Sequence, residues 1–164
     1  MFLLPGTHAT SYEILLLTQS EISPDLIAAY RATRYRVTAA AGFGTGTIAL
    51  RIDEYSEPLS RLLAASDHRC AAFITACNPF SVPQNHAHNL AACMRLRDKL
   101  ACLAQAGPIL EGKGCDPSGA WPAEKSYFVL GLDLETSRAL GREFGQNAIV
   151  WTGPDAIPRL ILLR

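Results

Sequence analysis

The chain has no net charge, no CxxC pair, no apolar run of membrane-spanning length, no internal repeat and no low-complexity tract. Each absence excludes something. Fifteen basic residues balance fifteen acidic ones, so broad neutralisation of nucleic-acid phosphates is not expected, and only a local basic patch is left for that role. Five cysteines, Cys70, Cys77, Cys93, Cys102 and Cys115, form an odd set without paired spacing. Neither a disulfide framework nor a zinc knuckle follows from them, and a reducing compartment fits best. The segment "MFLLPGTHATSYEILLLTQSEISP" carries two short apolar runs broken by Pro5 and Gly6, with no basic stretch before them. Both fall short of the roughly 20 residues that cross a bilayer, and the pattern is poor for a signal peptide. A soluble, cytoplasmic protein with no membrane partner is expected.

What is present points to one core. A chain of 164 residues that is 49% hydrophobic buries a respectable interior and leaves little for a second domain. Residues 1–22 read as a leader or an added edge strand, and 23–164 as a single domain. "SPDLIAAYRATRYRV" opens as a helix with Ser23 as N-cap and Pro24 at its first position, ending near Tyr35. "YRVTA" and "TGTIALRID" read as strands joined by the glycine-rich turn "AAGFGTG". "SEPLSRLLAASD" reads as a short helix with Leu59, Leu62 and Leu63 on one side. "RCAAFITA" is nearly continuous in apolar residues, the mark of a central strand covered on both faces.

From Asn85 the clearest helix of the chain runs on, with Leu90, Cys93, Leu96, Leu100 and Leu103 at steps of three or four. Gly107 and Pro108 are expected to stop it. After a loop, "EGKGCDPSGAWPAE", come the strand "SYFVLGL" and the helix "DLETSRALGREF", with Asp133 as N-cap and Gly145 as C-terminal stop. "NAIVW" and "RLILL" read as two more strands. The expected fold is α/β or α+β: a single domain with a mixed β-sheet and about four helices packed on it.

In order along the chain, "AYRATRYRV", "FITACNPFS", "NL" in the helix that follows, "GKGCDPSGAWPAEKSYFVLGL" and "GREFGQNAIVW" resemble a bacterial family of uncharacterised proteins, the domain of unknown function 3293 (DUF3293). The resemblance spans roughly Leu26 to Leu163. That family often has an aromatic residue where this chain has Cys77. The resemblance implies no known activity, substrate or cofactor, so the site has to be read from the residues.

"FITACNPFSVPQNHAHNL" runs from a strand into an amide-rich loop and then a helix. Ligands gather beyond the carboxyl ends of central strands, where loops and helix starts converge. Thr75, Asn78, Ser81 and Asn85 are therefore candidate ligand-binding residues, against the alternative that they only cap the loop and helix. Asn78 precedes a proline, which biases it to extended backbone. Glu124 and Ser126, two apart, share one face of a strand. A partly desolvated Glu124 would serve as acid or base, and its alternative is an exposed guard at a strand edge. Asp116 or Glu111 would have to fold in to give it a carboxylate partner. Gln146 and Asn147 follow a helix stop, as ligand contacts or as partners for buried backbone. Arg31 and Arg34, three apart, would share a helix face and hold an anion or complement the helix dipole.

Other features carry less. His86 and His88 are two apart on a helix and lack a third ligand, so no metal site is expected. "GFGTG" joins two strands and precedes no helix, so it reads as a hairpin turn and no cofactor is expected. Cys77 as a nucleophile would have only His86 for a base, and reads better as a small buried hydrophobe. Two functions remain open: a small enzyme or polar-ligand-binding protein with a pocket at the strand ends, and a non-catalytic module that binds a protein partner or a second copy of itself.

Overall fold

The computed structural model describes residues 20–39, 46–103 and 106–164. The leader expected over residues 1–22 and the glycine-rich turn fall almost wholly outside the described residues. The described residues contain four α-helices: α1 (Pro24–Ala32), α2 (Glu57–Ala65), α3 (His86–Ala101) and α4 (Leu134–Glu143). Seven strands accompany them: β1 (Arg34–Thr38), β2 (Thr47–Leu50), β3 (Ala71–Ile74), β4 (Ile109–Cys115), β5 (Glu124–Leu130), β6 (Ala148–Thr152) and β7 (Arg159–Leu162). They form one sheet in the order β2-β1-β4-β5-β3-β6-β7. Every pairing is antiparallel. The fold is thus α+β, and the sheet is antiparallel where a mixed one was expected. β3-α3-β4 and β5-α4-β6 are crossovers between strands that run the same way, but each pair is held apart by one antiparallel strand, so no two parallel strands are neighbours.

Local chemistry sets the helix starts. The side chains of Ser23, Ser56, Asn85 and Asp133 each accept a backbone N–H from the first turn of α1, α2, α3 and α4, satisfying donors that no helical carbonyl can reach. α1 ends three residues before the expected Tyr35. Thr33 turns extended, and both its N–H and its hydroxyl bond back to the Ala29 carbonyl. Arg34 therefore opens β1, and the expected helical face shared by Arg31 and Arg34 does not exist. Arg31 pairs with Asp53 instead.

β3 is buried at all four positions because the sheet is covered on both sides. Ala71 and Phe73 join Leu59, Leu62 and Leu63 of α2 in one apolar cluster. Ala72 and Ile74 join Cys93, Leu96 and Leu100 of α3 and Leu140 of α4 in the other. α3 stops at Ala101, well before Gly107, and Leu90 is 44% exposed rather than core. It precedes the stretch of α3 that the sheet covers. Among the described residues no helix is long and apolar enough to cross a membrane.

β4 occupies chain that reads as loop. Its sequence, "ILEGKGC", sets glycine and charge where strands favour branched or aromatic residues. Packing supplies the reason: a Cβ on Gly112 would lie 2.7 Å from the Phe73 ring. Phe73 reaches over β5 and β4 to meet Tyr35 of β1 edge-on, with ring centroids 5.2 Å apart. β3 and β1 stand three strand spacings apart, roughly 14 Å in a flat sheet, so two side chains bridge that span only across a bare glycine.

Candidate functional site

The register gathers one end of the sheet. The carboxyl end of β3, the starts of β5 and β6, the end of β4 and the start of β1 all meet there. Asn78 sits at the middle of this end. Its backbone is left-handed, with φ 47° and ψ 62°, where the following proline led us to expect an extended chain. Asparagine tolerates this region, and tertiary hydrogen bonds hold it there. The Asn78 N–H donates to Asn89 Oδ1 at 2.9 Å, and the Asn89 amide donates back to Asn78 Oδ1 at 2.9 Å. Asn78 Oδ1 also accepts the Gln84 N–H at 2.8 Å, and Asn78 Nδ2 donates to Glu124 Oε1 at 2.6 Å.

Burial pushes the Glu124 carboxyl above its ordinary range, with the Asn78 amide pulling the other way. In the register, Tyr35, Gly114 and Glu124 lie in one row across β1, β4 and β5. Arg34 lies in the next row and so points to the opposite face. It is exposed and meets no acid among the described residues. Neither expected carboxylate joins Glu124. Glu111 lies on the other face with Lys125 and Arg97, and Asp116 accepts the N–H groups of Ser118 and Ala120 in its own turn.

The remaining candidates separate by role. Thr75 donates to the Lys125 carbonyl at 2.7 Å and accepts the Cys77 N–H at 3.0 Å, tying β3 to β5. Asn85 caps α3 through the His88 N–H, and its amide meets His88 Nδ1 at 3.0 Å. Ser126 lies buried on the sheet and donates to the Glu124 carbonyl. Gln146 is buried and donates to the Cys77 and Phe144 carbonyls. Ser81 meets the Tyr30 hydroxyl at 2.7 Å and accepts the Asn147 amide at 3.0 Å. The structure brings Asn78 and Glu124 into direct contact and links Ser81 to them through the turn; Thr75, Asn85 and Gln146 brace its flanks.

That turn, Pro79–Ser81, is a single turn of 3-10 helix with two further positive φ values, 55° at Phe80 and 59° at Ser81. A bulky residue at positive φ is strained by roughly 1–2 kcal/mol. The turn is held against α4: the Phe80 N–H donates to the Gly145 carbonyl at 2.7 Å, and a Cβ on Gly145 would lie 3.0 Å from Pro79 and 3.3 Å from the Phe80 ring. Gly145, at φ 65°, also closes α4. Phe80 is 53% exposed despite this strain, and the Arg164 guanidinium lies 4.8 Å from its ring centroid.

Beside Phe80 a cleft of about 450 Å³ opens between α3 and α4. Pro79, Phe80, Phe144 and Gly145 form one side, and Arg95, Lys99, Arg142 and Glu143 supply its charges. Lys99 pairs with Glu143. Arg95 and Arg142 meet no carboxylate among the described residues; Arg142 donates only to the Leu163 carbonyl, at 3.4 Å. The cleft thus presents two unneutralised guanidiniums beside aromatic rings. Neither Arg95 nor Lys99 was singled out from the sequence. Their four-residue spacing beside the buried stripe was the available signal, whereas Arg142 comes from another helix and gave none.

No curated protein and no solved structure matches the chain. Residues 74–149, which hold the Asn78 turn, α3, β4, β5 and α4, match the model of the family described as Protein of unknown function (DUF3293), over a shorter span than the resemblance read from the sequence.

Proposed function

We propose that this protein binds a small anion carrying an aromatic or apolar group in the cleft between α3 and α4. The observation that carries the reading is the pairing of Arg95 and Arg142, both without carboxylate partners among the described residues, with the exposed ring of Phe80 across a cleft of about 450 Å³. Ligand sites of roughly 300–1,000 Å³ are mostly apolar, with a few charged groups that fix orientation. Guanidinium forks suit carboxylate and phosphate oxygens, and a ring fixed by a strained turn needs little ordering on binding.

In this reading the amides of the strand end are scaffolding for the site. Asn78, Ser81 and Gln146 fix the turn that presents Phe80, and Asn85 starts the helix that carries Arg95. Glu124 positions Asn78 and does not touch the ligand, because the carboxylate is not part of the cleft wall. A protein-interaction module would draw on the exposed Val82, Leu90 and Met94, and the charge of the cleft favours the small ligand. Five free cysteines and the resemblance to a bacterial family support a bacterial protein of the reducing cytoplasm.

A thermal-shift series with inorganic phosphate, phenyl phosphate and benzoate tests the proposal. Binding to the native state raises the melting temperature by mass action. Phenyl phosphate and benzoate are expected to raise it at low salt and less at high salt. No shift from any of the three would contradict the reading.

A further inference from the structure

Two thiols that ligand binding does not use lie against each other behind the cleft. Cys77 follows β3 and Cys93 lies within α3, and their sulfur atoms are 3.4 Å apart. Both are buried, at 6% and 1% exposure. Sixteen positions separate them, which is why no short cysteine motif announces the pair. The Lys125 carbonyl lies 3.6 Å from the Cys77 sulfur and 3.8 Å from that of Cys93. The Tyr127 hydroxyl donates to the Cys93 carbonyl at 3.2 Å. Cys70 and Cys115 are engaged elsewhere, with the Leu132 and Lys113 carbonyls.

We propose that Cys77 and Cys93 form a redox modification site that closes to an intramolecular disulfide when the protein meets a peroxide. Closing the sulfurs from contact to the roughly 2.05 Å of a disulfide asks for a small side-chain movement. Ala76 and Ala92, the chain neighbours of the two cysteines, line the cleft, and the proposal requires a water-sized oxidant to pass from there to the sulfurs. The hydrogen bond shared by the two sulfurs holds the Cys93 thiol below its ordinary range and Cys77 above it. The thiolate is the nucleophile, and because the sulfurs are 3.4 Å apart either one can resolve the other to the same product.

In the order that begins with Cys93, its thiolate attacks one peroxide oxygen; the S–O bond forms, the O–O bond breaks, and hydroxide leaves and is protonated to water. The Cys77 sulfur then attacks the sulfenic sulfur; the S–S bond forms, the S–O bond breaks, and the Cys77 proton leaves with the hydroxide as a second water. Two thiols and one peroxide thus become one disulfide and two waters. The new bond would join the Asn78 turn to α3, the elements already linked by the Asn78–Asn89 pair.

The test treats the full-length protein with hydrogen peroxide, blocks remaining thiols after unfolding, and maps the peptides without reduction. The expected result is a cross-linked Cys77–Cys93 peptide, lighter by two hydrogens. The melting temperature should also rise by on the order of 5–10 °C, and a dithiol reductant should reverse both changes. The rise should be absent in Cys93→Ser. If that variant does not fold, the peptide map of the wild type decides alone. The proposal is overturned if Cys77 and Cys93 are recovered as free thiols while Cys102 is oxidised, or if either is found as a sulfinic acid without the cross-link.

Discussion

Removing the Asn78 side chain tests whether the turn depends on its tertiary partners. Alanine deletes three side-chain hydrogen bonds, to Glu124, Gln84 and Asn89. At roughly 0.5–1.5 kcal/mol each, the loss comes to about 3 kcal/mol. Asparagine tolerates the left-handed backbone better than alanine does, and at φ 47° that difference adds about 1 kcal/mol. Glycine loses the same hydrogen bonds and is relieved of the backbone penalty, less some gain of unfolded-chain entropy. Asn78→Ala is therefore expected to lose about 4 kcal/mol and Asn78→Gly about 3 kcal/mol, relative to the wild type in urea unfolding. For a chain of this size the alanine loss lowers the melting temperature by about 8–16 °C. An Asn78→Ala protein within about 1 kcal/mol of wild type would refute the reasoning on the hydrogen bonds. A glycine variant less stable than the alanine one would refute the account of the backbone.

Glu124→Gln keeps an acceptor for Asn78 and removes the charge. Because burial raises the folded-state pKa of Glu124 above its unfolded value, the native protein holds that proton more tightly. Wild-type stability falls as pH rises from the unfolded to the folded pKa. The variant should therefore match the wild type in acid and exceed it at neutral pH, as read by unfolding across pH; a constant difference would contradict this sign. Gly112→Ala places a methyl group 2.7 Å from the Phe73 ring and is expected to cost about 1–3 kcal/mol. Most of that cost should vanish in a Phe73→Leu background, and simple additivity in the double-mutant cycle would refute the proposed contact.

Local chemistry made much of the fold legible. Each helix start had a side-chain cap, and Pro24 and Pro58 sit where a missing N–H costs nothing. The buried strand "AAFI" was visible in its composition. β4 was not, because Gly112 answers to Phe73, far away in the chain, rather than to strand propensity. The left-handed Asn78 escaped for a similar reason: the local rule for a residue before proline is overridden by Glu124 and Asn89, which only the fold brings near. The sequence named Asn78 and Glu124, which touch at one end of the sheet. It missed the cations of the cleft, because surface arginines on two helices look like solvated charge until the helices are placed side by side. The antiparallel order was equally hidden, since strand direction depends on how elements dock.

The central claim is that Arg95, Arg142 and Phe80 recognise an anion with an apolar group. A calorimetric titration of phenyl phosphate into the wild type and into Arg95→Gln/Arg142→Gln, with unfolding curves showing both folded, tests it most directly. The account predicts saturable binding by the wild type and affinity at least about tenfold weaker in the double variant, since a charged hydrogen bond contributes roughly 1.5–3 kcal/mol. Absence of binding to the wild type, or equal affinity for both proteins, would contradict it.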